Sequence, residues 1–437
     1  MKSVLLRLLA RDRALFVGAL LLAAAAVGLG APLDFALFGL MLAGVAVFHH
    51  HTLQVALAGL AVITAYEVLV GGFTTGVGLQ GLALHLGHEW VTLANLLGLL
   101  LGFGLLSKHF ERSNVPAKLP RILPAGWRGA FLLLVLVFVL SSFLDNIAAA
   151  LIGGTMARAV FGGRVHLGYL AAIVAASNGG GSGSVVGDTT TTMMWIHGVS
   201  PLGVLHAYVA AGVALVVSGL IAARQQHAYA PMVSSDLAAI AIDWTRVAVV
   251  AFILIVIIVT TVVTNLAFPA VLDRFPVIGA AAWAGLLICA PIRRPDWQLL
   301  PEGLKSSAFL LSLVICASMM PVATLPPPSW QSTLGLGFVS ALFDNIPLTA
   351  LALKQGGYDW GVVAYAVGYG GSMLWFGSSA GVALANAYPE ARSAGRWLAQ
   401  GWHVTVAYVV GFFVLLAALG WQPLPEPPAP SSTTTVR

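Results

Sequence analysis

Eleven stretches of this chain are apolar over about the 20 residues that a helix needs to cross the hydrocarbon of a bilayer. They lie near 14–31, 33–48, 52–71, 91–107, 167–196, 202–221, 247–264, 276–291, 306–320, 361–388 and 403–420. No water-soluble domain could bury so many. Composition agrees: 59% of the residues are hydrophobic and 8% charged, against about 25% charged in an ordinary globular domain. The expected fold class is therefore an all-α polytopic membrane protein. A formal charge of +5 would suggest nucleic acid in a soluble domain, but here Lys and Arg are expected in cytoplasmic loops, and no nucleic-acid partner is expected. Cys289 and Cys316 sit in apolar surroundings without CxxC spacing and read as small core residues.

Two further apolar stretches, 129–160 and 330–353, each contain the tripeptide Asp-Asn-Ile, in SSFLDNIAAAL from Ser141 and SALFDNIPLTAL from Ser340. Read as re-entrant hairpins that enter and leave on one side, they leave 18 of the 21 basic residues inside. Those 18 are Lys2, Arg7, Arg11, Arg13, Lys108, Arg112, Lys118, Arg121, Arg128, Arg158, Arg164, Arg224, Arg246, Arg293, Arg294, Lys305, Arg392 and Arg396. Only Arg274, Lys354 and Arg437 fall outside, which obeys the positive-inside rule. The expected location is a bacterial-type inner membrane, with the N-terminus cytoplasmic and the C-terminus outside. The basic, apolar front is expected to remain as an uncleaved helix, because no A-x-A cleavage site follows it.

The two tripeptides are 344 − 145 = 199 residues apart, and each is followed about 30 residues later by a Gly/Ser-rich break. The breaks are SNGGGSGSVVGDTTTT (Ser177 to Thr192) and GYGGSMLWFGSSAG (Gly368 to Gly381). This order implies an inverted repeat. Its parts are an N-terminal helix outside the repeat (1–31), a first repeat (32–221) and a cytoplasmic linker (222–246). A second repeat (247–420) and a disordered Pro/Ser/Thr-rich tail (421–437) follow. The hairpins are 129–160 and 330–353, and the broken helices 167–196 and 361–388.

An aspartate at membrane depth costs roughly 3 kcal/mol or more unless paired, so Asp145 and Asp344 suggest a built site. Non-helical backbone there is tolerated only where it is buried or lines a wet cavity. Unwinding would free oxygens for a hard cation such as Na⁺ at Ser177, Asn178, Gly179, Gly180, Gly370, Gly371, Ser372 and Ser378. Asp188 and Thr189 add oxygens directly after the first break, where the start of a resumed half-helix favours negative charge. The competing role for these glycines is close helix packing in lipid. Without GxxxxGK[ST], ATP hydrolysis is not expected.

The segments SSFLDNI, SNGGGSGSVVGDTTTTMMWI, SALFDNIP and GYGGSMLWFGSSAGVALA resemble the paired signatures of NhaD-type sodium/proton antiporters, within the ion transporter superfamily that includes citrate carriers. The resemblance implies eleven spans with two hairpins, a homodimerising scaffold and a mobile transport domain working as an elevator. It also implies exchange of Na⁺ or Li⁺ for H⁺ at Asp145, Asn146, Asp188, Asp344 and Asn345, with no cofactor and no enzymatic activity.

Charge supports a cation independently. Two carboxylates at one site repel a di- or tricarboxylate by several kcal/mol at an effective dielectric of about 20 and attract Na⁺. Na⁺ and H⁺ then compete for the same oxygens, which is enough for antiport. The rival reading on the same fold is a Na⁺-coupled symporter of citrate or another di- or tricarboxylate. An intramembrane aspartyl protease is disfavoured because Val185-Val-Gly-Asp188 lacks the first glycine of Gly-x-Gly-Asp. Among other residues, His49-His50-His51 reads as a polar turn or a pH sensor. Glu67 reads as a snorkelling or hydrogen-bonded scaffold residue or a proton relay, Asp34 as a solvated loop residue, and Trp90 and Trp402 as interfacial anchors.

Overall fold

The computed structural model describes residues 2–48, 51–118, 123–184, 187–232, 241–272 and 274–423. His49, His50, Arg121 and the tail from 424 onward lie outside the described residues. Within them the secondary structure is helical and contains no strand. Six helices are long and apolar enough to cross a membrane, and five shorter ones are also apolar. The chain divides into two compact units, Met1–Val115 with Ala241–Pro321, and Pro116–Ile240 with Val322–Arg437. Each unit draws one segment from each sequence repeat.

In the first unit, helix Leu33–Val47 packs on Lys2–Gly28 and Thr52–Tyr66, while Gly78–Glu111 packs on Trp244–Ala267, Val277–Cys289 and Leu300–Met319. The sequence places a span at 91–107, but the helix starts at Gly78, so it is about 51 Å long. Polar residues hid its first turns: His85 is buried and pairs with the Ser318 hydroxyl at 3.0 Å, so it interrupts the apolar pattern without interrupting the helix. Asn95 Oδ1 accepts from the Gly279 amide at 3.0 Å, and Trp283 donates to the Gly98 carbonyl at 3.0 Å, fixing this crossing. Asp34 is not a loop residue; it stands in the first turn of Leu33–Val47, where the helix dipole favours it. Glu67 is 3% exposed, hence not snorkelled, and opens a π-helical turn, Glu67–Gly71. Trp90 and Trp402 are both exposed, the former inside Gly78–Glu111 and the latter at the start of Trp402–Leu419.

Asp243 caps Trp244–Ala267 by accepting from the Arg246 amide at 3.2 Å, and receives Arg293 Nε at 3.0 Å. The Arg293 hydrogen bond, with the nearby Arg246, holds its carboxyl below the usual carboxylate range. Arg246 also donates to Nδ1 of His109 at 2.9 Å, so this loop binds three segments of the first unit together.

The second unit contains both Asp-Asn-Ile segments. The first joins Trp127–Ser141 to Asn146–Val160 and the second joins Trp330–Ser340 to Asn345–Gln355, each pair in mutual contact. The first broken helix is Leu167–Ser182 followed by Thr189–Ile196, and the second is Trp360–Gly370 followed by Ser379–Ala387. Leu167–Ser182 and Trp360–Gly370 are buried over their whole lengths and form the core of the unit. Ala207–Tyr229 and Trp402–Leu419 flank them. The former runs past residue 221, where the linker was expected to begin.

The first break also falls later than glycine content suggests. Helical geometry continues through Ser177, Asn178, Gly179 and Gly180 to Ser182. The reason is packing: a Cβ at Gly180 would stand 2.1 Å from the Phe138 carbonyl oxygen, and one at Gly370 2.4 Å from that of Gly337. Both glycines therefore let a hairpin backbone lie directly on a broken-helix backbone.

Candidate functional site

Asp145 and Asp344 occupy the same local position, the residue before a hairpin's second helix, with φ, ψ of −52°, 138° and −56°, 143°. Asp344 closes the cap by accepting from the Ile346 amide at 3.1 Å, and its other oxygen accepts from the Ser379 hydroxyl at 2.9 Å. Asp145 makes no side-chain capping bond. Both are half-buried. Asp188, 3% exposed, caps the resumed half-helix by accepting from the Thr190 amide at 3.3 Å. Ser378 caps the second half-helix by accepting from the Gly381 amide at 3.2 Å. The two caps are 378 − 188 = 190 residues apart and are equivalent positions of the repeat, one acidic and one neutral.

Two sets of contacts join these parts inside the second unit. In the neutral set, Asn178 accepts from Asn146 at 3.2 Å and donates to the hydroxyls of Ser372 and Ser378 at 2.9 and 3.0 Å. One fully buried amide thus links the first hairpin, the first broken helix and the second break. In the acidic set, Asn345 donates to Asp188 Oδ2 at 3.4 Å, and a Cβ at Gly368 would meet the same oxygen at 3.4 Å. Asn178 and Gly368 are themselves equivalent positions, so each broken helix presents its last turn to the cap of the other.

Of the residues expected from sequence, Asn146, Asn178, Ser372 and Ser378 form one network, and Asp188 meets Asn345. Thr189 opens the half-helix after Asp188. The backbone oxygens of Ser177, Gly179 and Gly180 already accept side-chain hydrogen bonds, from Ser141, Ser182, and both Ser142 and Tyr208. The bonds to Ser177 and from Ser142 to Gly180 tie this helix to the first hairpin, while that to Gly179 stays within the helix. Gly370 and Gly371 likewise lie against the backbones of Gly337 and Gly377. Among the described residues, no three His, Cys, Asp or Glu side chains converge closely enough to hold a metal ion. Any cation here would draw mostly on amide, hydroxyl and carbonyl oxygens around single carboxylates.

Three residues escaped the sequence reading. Ser141 donates to the Ser177 carbonyl at 2.5 Å and Ser340 to that of Val367 at 2.7 Å, fastening each hairpin to its broken helix. Ser379 is the hydroxyl on Asp344. A signal existed for the first two, since a serine stands four residues before each repeated aspartate. No family model matches the chain, and neither does any curated protein.

Proposed function

We propose that the chain is a secondary transporter exchanging Na⁺ or Li⁺ for H⁺ across a cell membrane by an elevator-type alternating-access mechanism. The observation that carries the reading is the gathering of both hairpin tips and both helix breaks in one compact unit, with Asp145, Asp188 and Asp344 among them. None of the three aspartates has a basic partner among the described residues. An unpaired carboxylate away from water must either bind a proton or a cation. Exchange follows from that alternative: Na⁺ entering the oxygens displaces a proton, and a proton returning displaces Na⁺.

Helix length supports the re-entrant hairpins. The second hairpin's 11-residue helices extend about 17 Å each, short of the roughly 30 Å hydrocarbon thickness. The partition of the chain supports the elevator, because one unit carries every site residue while the other holds long apolar helices with no part of the site. By this reading the second unit moves with the ion, the first stays fixed as the scaffold of a homodimer, and about eleven segments span the membrane.

The test is a ΔpH-sensitive dye in vesicles containing the protein, with Na⁺, Li⁺, K⁺ and citrate added in turn. Alkalinisation of an acid-loaded lumen by Na⁺ or Li⁺ alone is expected. Labelled citrate uptake without Na⁺-driven proton movement would replace antiport by symport.

A further inference from the structure

Among the described residues, the end of the second unit at which the first hairpin opens carries six arginines, Arg128, Arg158, Arg164, Arg224, Arg392 and Arg396. Arg128 and Arg224 both lie over the ring of Trp127, 5.8 and 5.1 Å from its centroid. Arg164 lies over Tyr229 at 5.5 Å and Arg158 over Tyr388 at 4.9 Å. Gln226 joins the first two groups, accepting from the His166 amide at 2.7 Å and donating to the Arg164 carbonyl at 3.0 Å. Arg158 reaches the Ala387 carbonyl, while Arg392 and Arg396 donate to Ala385 and Glu390 carbonyls close by.

Among the described residues, no arginine of this group meets a carboxylate. The described acids of the unit are the three site aspartates, Asp359, which pairs with His206, and Glu390, which forms no ion pair with any of them. Arg128 and Arg224 are exposed and Trp127 is half-buried. Both guanidinium groups make cation–π contacts with this one ring, and their N–H forks suit phosphate oxygens in a way that a lysine ammonium does not. Trp127 opens an apolar helix, the position of an interfacial tryptophan. The charge distribution assigns this end to the cytoplasmic side, where anionic headgroups attract basic groups.

We propose that Arg128 and Arg224, gathered on Trp127, form a binding site for the phosphate of an anionic phospholipid headgroup. The test is binding of fluorescent phosphatidylglycerol to the full-length protein in neutral detergent, with phosphatidylcholine and inorganic phosphate as competitors. Phosphatidylglycerol should bind and phosphatidylcholine should not displace it. At about 1 kcal/mol per arginine, Arg128→Gln or Arg224→Gln should weaken binding about 5-fold and the double variant about 30-fold. Arg128→Lys/Arg224→Lys keeps the charge but loses the planar N–H forks, and should still bind several-fold more weakly than the wild type. Wild-type affinity in the lysine pair would reduce the site to a diffuse positive surface and overturn the proposal. So would equal binding of the two lipids. Displacement by an equal concentration of inorganic phosphate would overturn the lipid assignment in favour of a soluble anion.

Discussion

Alanine at Gly179 and at Gly180 should have opposite consequences, although the two glycines are neighbours on one buried helix. Each substitution gains about 1 kcal/mol of helix propensity. At Gly180 the new Cβ would stand 2.1 Å from the Phe138 oxygen, and real Cβ contacts essentially never fall below 3.0 Å, so the hairpin backbone must retreat by at least 3.0 − 2.1 = 0.9 Å. Because the obstacle is backbone in a packed core, the overpacking penalty belongs at or above the upper end of the usual 1–3 kcal/mol, leaving a net loss of about 2 kcal/mol. At Gly179 the nearest atom is Tyr369 Cδ2 at 3.3 Å, a ring carbon that needs to give only slightly, so the net effect is about zero or a small gain. The two variants should differ by about 2–3 kcal/mol, or roughly 5–10 °C for a unit of this size. Tryptophan-fluorescence thermal unfolding of the purified proteins measures this. Equal melting temperatures, or a lower one for Gly179→Ala, would refute the packing role and return these glycines to an unwound ion cradle.

Three further outcomes follow from particular contacts. Ser141→Ala and Ser340→Ala each remove one buried hydrogen bond between hairpin and broken helix, and each should lower stability by about 1 kcal/mol in the same assay. Asp243 has a lowered folded-state pKa, so its stabilising contribution is complete above the unfolded value of about 3.9 and is lost as pH falls through the folded one. The stability difference between wild type and Asp243→Asn should accordingly be largest near pH 7 and close below about pH 4. Asp188→Asn should weaken apparent Na⁺ affinity about 10- to 150-fold, the loss of a charged ligand worth roughly 1.5–3 kcal/mol. Transport assays at several pH values would check it, and unchanged affinity with a displaced pH optimum would reverse the roles given to Asp188 and to the hairpin aspartates.

Much of the architecture could be read from apolar runs, because burial in lipid leaves a long continuous hydrophobic signal. Most predicted stretches match observed helices to within a few residues, such as 33–48 against Leu33–Val47 and 403–420 against Trp402–Leu419. The helix extends from Gly78 to Trp90 beyond the predicted span because a histidine there, His85, is satisfied by a partner 233 residues away, which no local pattern records. The site was legible as repeated Asp-Asn-Ile and repeated breaks. Its wiring was not: the bonds from Asn178 to Ser372 and Ser378 span 194 and 200 residues of sequence. Glycine richness was ambiguous for a physical reason, since the missing side chain that lets a helix unwind also lets two backbones touch, and at Gly180 and Gly370 it does the latter.

Antiport at this site requires Na⁺ and protons to compete for the oxygens around Asp145, Asp188 and Asp344. Proton release on Na⁺ addition to the purified, weakly buffered protein tests it most directly, without needing transport. Acidification by Na⁺ or Li⁺ is expected that saturates, is absent with K⁺, and is lost in the Asp145→Asn/Asp344→Asn double variant. Saturable Na⁺ binding with no proton released at any pH between about 6 and 9 would contradict it.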